Sequence, residues 1–205
     1  KHYKKPNARH TIIKKGIKSY LKPGMLVLDI GCGIGIMSKY MAESGVKVIG
    51  VDLSPKLIAY AKENCNHENI TYIVEDIHEY TTMYKFDLIV IADALEHLIP
   101  DNVQNTIIRI LDNNTHNETV VYLNMPDRNF IHFMENNYPE KLQIVDVGYS
   151  IGEITDLFSC CGFVPEKMKI YGIDTAVQYN EYVFINRNKL KSYYKERLGQ
   201  IYNRR

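Results

Sequence analysis

Apolar positions along the chain alternate between short continuous runs and helical stripes. The runs are Met25 to Leu28, Val46 to Val51, Ile70 to Val74, Phe86 to Ile91 and Thr119 to Asn124. Runs this short and this apolar are expected of parallel strands buried on both faces. The stripes lie between them. Ile12, Ile13, Ile17, Tyr20 and Leu21 give residues 7–21 a helical spacing that Pro23-Gly24 ends. Helices are also predicted over Ile36 to Glu43, over Pro55 to Asn64 behind a Ser54 cap, and from an Asp101 cap through Val103, Ile107, Ile108 and Leu111. Residues 112–117 read as a polar loop. Ser150 and Glu153 form a capping box for a helix that Gly162 ends, with a strand after Phe163 and a last strand from Tyr179 to Asn186. Strand and helix in alternation predict an α/β fold around a mostly parallel sheet.

A chain of 205 residues with 45% hydrophobic content is read as one domain, 1–205, with a full core. The net charge of +1 gives no field that would favour nucleic acid or an anionic membrane. No run reaches the length of a membrane span, and Lys1 to Lys5 are not followed by the apolar stretch of a signal peptide. The four cysteines show no C-x-x-C spacing, which argues against a metal site or a disulfide framework and for a reduced, cytoplasmic setting. Residues 189–205 read as a basic helical tail.

The chemistry centres on the stretch from Asp29 to Ile36, where Gly31, Gly33 and Gly35 run from a strand end into a helix start. Open α/β sheets hold nucleotide-like ligands at such a place, and glycine lets a ligand approach the backbone. The spacing is G-x-G-x-G, and Ile36 stands where a dinucleotide loop has its third glycine. A tight turn without a ligand is the alternative. Asp52 closes the second strand 21 residues after Gly31, near the ~20 expected of a ribose-binding acid. Ser54 is free to cap the helix that follows, which leaves Asp52 for a ligand.

Together with Asp29, the motif D-x-G-x-G-x-G resembles motif I of the class I S-adenosylmethionine-dependent methyltransferases. The resemblance spans residues 7–187. It implies a three-layer, Rossmann-like fold with a seven-stranded sheet in the order 3-2-1-4-5-7-6, the last strand antiparallel. It also implies S-adenosyl-L-methionine as cofactor. Asp29, Gly31, Cys32, Gly33 and Gly35 would form the loop under it, and Asp52 with Leu53 the ribose end. Asp76 would accept from the adenine amino group and Ile77 pack on the ring. Ala92 and Asp93 would border the methionine moiety. Arg9, near the start of the first helix, would pair with the methionine carboxylate. Phe86-Asp before an apolar run also resembles the family.

The segment Glu96-His97-Leu98 resembles small-molecule O-methyltransferases, and no Asp/Asn-Pro-Pro-aromatic signature of base or glutamine methylation is present. His97 is the candidate base, since a neutral imidazole accepts a hydroxyl proton near neutral pH. A purely structural Glu96 and His97 is the alternative. Residues 125–150 form an insertion at the carboxyl end of the sheet and are read as a substrate lid, with His132 and Tyr138 as acceptor contacts and Phe130 and Phe133 as pocket aromatics. A plain helical hairpin or a homodimer contact is the alternative use of that segment.

No metal site is expected, although Asp93 and Asp127 stand near the strand ends. A nicotinamide oxidoreductase would need a different glycine spacing, and none of the 16 tyrosines starts a Tyr-x-x-x-Lys motif. The expected partner is a small polar methyl acceptor, a sugar or natural-product intermediate, with oxygen or nitrogen open as the receiving atom. A non-catalytic cofactor-binding protein is the competing reading.

Overall fold

The computed structural model describes residues 7–98, 100–143, 145–173 and 178–188, and of Pro100 and Asp101 the backbone alone. The basic tail over 189–205 and the basic start at Lys1 to Lys5 lie outside the described residues. Helix α1 spans Ala8–Ile17, β1 Leu26–Ile30, α2 Ile36–Ala42, β2 Lys47–Asp52, α3 Pro55–Asn64 and β3 Ile70–Val74. Then follow β4 Phe86–Ala92, α4 Pro100–Asn114, β5 Thr115–Pro126, α5 Arg128–Asn137, α6 Ile151–Ser159, β6 Phe163–Gly172 and β7 Gln178–Asn186.

The seven strands form one sheet in the order β3-β2-β1-β4-β5-β7-β6. Neighbours from β3 to β5 are parallel, and β7 runs antiparallel to both β5 and β6. Both the order and the reversed last strand are those implied by the family resemblance.

Each face of the sheet is buried by helices, which is why the strands read as continuous apolar runs. On one face Val27, Val48, Val90 and Tyr122 pack against Ile13 and Ile17 of α1 and Met37 and Met41 of α2. On the other, Leu28, Ile89, Leu123 and Phe184 pack against Ile107 and Leu111 of α4 and Ile154 and Phe158 of α6. The Ser150–Glu153 capping box forms as its sequence predicts, with Ser150 Oγ accepting from the Glu153 amide at 3.2 Å.

Two boundaries differ from expectation. Helix α4 already starts at Pro100, so Asp101 lies inside its first turn and does not cap it. The expected loop over 112–117 does not exist, since α4 runs to Asn114 and β5 starts at Thr115. Asn114 explains this. Its side-chain amide donates to the carbonyls of Thr82 and Tyr84, both at 2.9 Å, so a polar residue is satisfied inside the fold.

Candidate functional site

The carboxyl ends of β1, β2, β3 and β4 gather the residues singled out in the sequence. After β1 the chain turns through Gly31, Gly33 and Gly35 with φ of 68°, 54° and 79°. Such backbone is costly for residues with a Cβ. At Gly31 a Cβ would also stand 2.5 Å from that of Ala94, so the loop lies hard against the chain beyond β4. At Gly33 the nearest atom is a backbone oxygen 4.0 Å away, so the loop is open there. Asp29 lies within β1, not after it, and is buried beneath the loop. It accepts from Ser38 Oγ of α2 at 2.5 Å. Burial pushes its carboxyl up to about 7, against the pull of that hydrogen bond and with a push from Asp52. Asp29 therefore supports the loop from below. Cys32 is buried too, against α3 and Tyr72.

Asp52 ends β2 and binds the loop to it. Its Oδ2 accepts from the Gly33 amide and its Oδ1 from the Ser54 amide, each at 2.8 Å. Ser54 Oγ caps α3, as the sequence predicts. Each carboxylate oxygen keeps a second lone pair. Leu53 beside it is 67% exposed. After β3, Asp76 Oδ1 accepts from the His78 amide at 2.9 Å. Ile77 turns into the core with Tyr80 and Phe86, so its side chain does not stand open beside Asp76.

At the end of β4, Ala92 is half-buried and Asp93 has φ of 53°, the one positive value outside glycine among the described residues. Aspartate tolerates this conformation better than most residues, but strain of this kind concentrates at functional sites. The Asp93 amide donates to the Asn124 carbonyl at 2.9 Å, which fixes the turn to β5. Arg9 of α1 reaches this point: its Nε lies 2.8 Å from Asp93 Oδ2 and its Nη1 donates to the Tyr179 hydroxyl at 2.6 Å. The ion pair is close but skewed. Arg9 Nε has no aligned hydrogen bond, and Asp93 Oδ1 and Glu96 Oε2 are buried with no partner. Burial raises Asp93 to about 6, with Arg9 and His97 pulling it back. Glu96, buried and facing Asp93, is pushed well above the usual carboxylate range.

His97 closes a single helical turn, Leu95–His97, after β4. Its ring is held by the segment leading to α6. Nδ1 lies 3.0 Å from both the Val145 carbonyl and Asp146 Oδ1, and Nε2 lies 3.0 Å from Gln143 Nε2. The insertion itself reads differently from expectation. Its helix α5 buries Ile131, while His132 and Tyr138 stand exposed. Tyr138 meets Phe133, with ring centres 6.0 Å apart, and the Lys141 ammonium. Among the described residues no hydrogen bond, ion pair or ring contact joins His132 or Tyr138 to His97, Asp93 or the glycine loop. Arg128 anchors α5 instead, through the Gly148 carbonyl at 2.9 Å and Glu153 at 2.8 Å.

Sequence reasoning gives no role to Tyr179, Asn124, Gln143 or Asp146. Tyr179 sits 170 positions from Arg9, and only the insertion of β7 beside β5 brings the two together. Asn124 reads in the sequence as a strand end. It is buried, donates to the Tyr171 hydroxyl at 2.8 Å, and leaves its Oδ1 unpartnered. A separate surface cavity between α1, α2 and α3, lined by Lys14, Lys39, Tyr40 and Asn64, shares only Ile34 with the loop. Among the described residues no group of three His, Cys, Asp or Glu side chains is placed to hold a metal ion, and no helix is long and apolar enough to cross a membrane.

Comparison with known proteins points the same way. Residues 27–114 match the family described as a methyltransferase domain. The chain is 37% identical over 107 residues to the cyclopropane-fatty-acyl-phospholipid synthase of Escherichia coli, covering 52% of this chain and 27% of that protein. It is 42% identical over 81 residues to a ubiquinone biosynthesis O-methyltransferase of Coxiella burnetii, covering 38% of this chain and 34% of that one. The match thus spans about a quarter to a third of these curated relatives. Among solved structures, the magnesium protoporphyrin IX methyltransferase of Synechocystis superposes with a TM-score of 0.70 at 17% identity, over 87% of this chain and 81% of that one. The N-methyltransferase NodS of Bradyrhizobium japonicum gives 0.69 at 18%, over 87% and 85%. With its seven-stranded sheet in this order and the family match over 27–114, the chain carries the fold of the class I S-adenosylmethionine-dependent methyltransferases.

Proposed function

We propose that this protein is an S-adenosylmethionine-dependent methyltransferase that moves a methyl group directly to a hydroxyl of a small polar molecule. The observation that carries this reading is Asp52. Its carboxylate ends β2 with spare lone pairs, one bond from the open Gly33 and beside the exposed Leu53. A ribose diol needs such an acceptor, and an adenine ring would cover the leucine. The residues present suit the rest of the group. Asp93 Oδ1 and Glu96 Oε2 are buried acceptors without partners, a setting that favours a cation or N–H donors. Arg9 lies beside them for a carboxylate, though Asp93 and Tyr179 already engage it and an anion would share it with them.

S-Adenosylmethionine supplies an activated methyl on a cationic sulfur with a good leaving group. The protein's part is to hold donor and acceptor in line, which is worth up to ~7–11 kcal/mol, and to remove a proton. In this reading Asp52 and the glycine loop hold the nucleoside, Asp76 the base, and Ala92 and Asp93 the methionine end, while His97 takes the proton. The buried acids Asp93 and Glu96 also favour a second reading, in which the acceptor is an amine. His132 and Tyr138 keep a part in acceptor selection only if α5 presents them to a bound molecule.

Isothermal titration with S-adenosylmethionine, S-adenosylhomocysteine and NAD tests the reading. We expect the first two to bind and NAD not to. Binding of NAD with neither methionine nucleoside would overturn it. Transfer of labelled methyl to a panel of hydroxyl and amine acceptors then separates the two readings, and binding without transfer to any of them would favour a non-catalytic protein.

A further inference from the structure

We propose that Asp146 is a positioning residue for His97, and that Gln143 occupies the ring nitrogen to which the methyl acceptor binds. The proposal rests on the methyl-transfer reading. It starts from the ring's own contacts. Nδ1 faces two oxygens, the Val145 carbonyl and Asp146 Oδ1, each at 3.0 Å. Neither oxygen carries a proton when Asp146 is ionised, so the neutral ring keeps its hydrogen on Nδ1. Nε2 is then left with a lone pair. Gln143 Nε2, at 3.0 Å, is a side-chain amide placed to donate to it.

The segment that carries these groups is fixed at both ends. The Val147 amide donates to the Glu96 carbonyl at 2.9 Å, and the Gln143 amide donates to Asp146 Oδ2 at 2.6 Å. One carboxylate thus orders its own loop with one oxygen and the imidazole with the other. Its side chain is 9% exposed, so water screens the pair weakly. Gln143 is exposed and can swing aside. The other titratable groups that face the ring are Glu96, with Oε1 3.9 Å from Nε2, and Asp93.

The acceptor hydroxyl displaces the Gln143 amide and donates to Nε2. As its oxygen bonds to the methyl carbon, the C–S electron pair returns to the sulfur and the hydroxyl proton passes to Nε2. The imidazolium so formed keeps its Nδ1 hydrogen on the Val145 carbonyl, with Asp146 Oδ1 beside it as the opposite charge, and later yields its Nε2 proton to water. Asp146 acts through His97 and touches no reacting atom.

Ring-nitrogen NMR on the ¹⁵N-labelled full chain, with S-adenosylhomocysteine added, tests this. We expect His97 as the Nδ1–H tautomer, and loss of that single tautomer in Asp146→Asn, whose amide nitrogen can donate to Nδ1. Asp146→Glu should restore it, and serves as the check where the asparagine variant folds poorly. Gln143→Ala should keep the tautomer but raise the rate of diethylpyrocarbonate modification at Nε2 several-fold. An Nε2–H tautomer, an unchanged tautomer in a folded Asp146→Asn, or unchanged modification in Gln143→Ala would overturn the proposal. These readouts need no turnover. Failure of S-adenosylmethionine to bind would sink the methyl-transfer reading while leaving them intact, and the wrong tautomer in a protein that binds it would sink this proposal alone.

Discussion

Asp52 Oδ2 accepts a hydrogen bond from the Gly33 amide at 2.8 Å, so the end of the second strand holds the glycine loop with the same carboxylate that we assign to the ribose. We predict that Asp52→Ala weakens S-adenosylmethionine binding by an order of magnitude or more, because a charged acceptor and a loop anchor are lost together. Calorimetric titration checks this, with circular dichroism to show the variant folded. An unchanged dissociation constant would reject the assignment.

The two glycines on either side of Cys32 should fail differently. Gly31→Ala puts a Cβ 2.5 Å from that of Ala94 in addition to the positive φ, so it should lower the melting temperature markedly. Gly33→Ala meets no atom closer than 4.0 Å and has only the backbone penalty, about 1 kcal/mol. In the proposed reading its Cβ would stand where the cofactor approaches, so binding should suffer more than stability. Equal thermal shifts in the two variants would contradict this assignment.

Arg9→Ala should destabilise the protein by about 1–3 kcal/mol in urea, because it leaves Asp93 buried without its partner. The range sits below that for a fully buried pair since the two side chains retain 25% and 20% exposure. Adding Asp93→Asn should recover part of the loss. A double variant no more stable than Arg9→Ala would show that the pair is not the source.

Asp29 carries a pH signature. Its folded carboxyl, raised to about 7, lies above the unfolded value, so the native state holds the proton more tightly between about pH 4 and 7. Its contribution is therefore fully present below pH 4 and declines as pH rises to 7, on the order of 4 kcal/mol if unrelieved. An asparagine side chain at this position cannot ionise and still offers Ser38 an oxygen. Asp29→Asn should gain stability relative to the native chain from pH 5 to pH 8, measured by denaturant unfolding at both. A difference that does not change with pH would mean Asp29 titrates normally.

The strands and their ends were legible because buried parallel strands leave unbroken apolar runs, with Asp52 and Glu75-Asp76 following them, while the order of the sheet came from the family resemblance of the glycine motif. Cap chemistry was equally local, as Ser54 and Ser150 show. What failed was long-range. Asn114 looks like loop because nothing near it reveals that the Thr82 and Tyr84 carbonyls await its amide. The insertion's aromatics look like pocket lining, but Phe133 and Tyr138 are exposed, on and just beyond a ten-residue helix with one buried residue. Arg9 stands out for its place on α1, yet its partners Asp93 and Tyr179 come from distant parts of the chain. His97 is legible from its motif, while its holders Gln143 and Asp146 lie in a stretch without periodicity.

The strand order carries one more consequence, for how the protein is made. Strand β7 lies between β5 and β6, so among the described residues β6 has no neighbour in the sheet other than β7. During synthesis residues 163–172 emerge as a strand with both edges unpaired, a state prone to misassembly until residues 178–186 follow. The same late strand brings Tyr179 to Arg9. A ribosome-bound chain that stops short of β7 would therefore display the glycine loop and Asp52 but leave the first helix unlatched, and cofactor capture should appear only once the last strand is released.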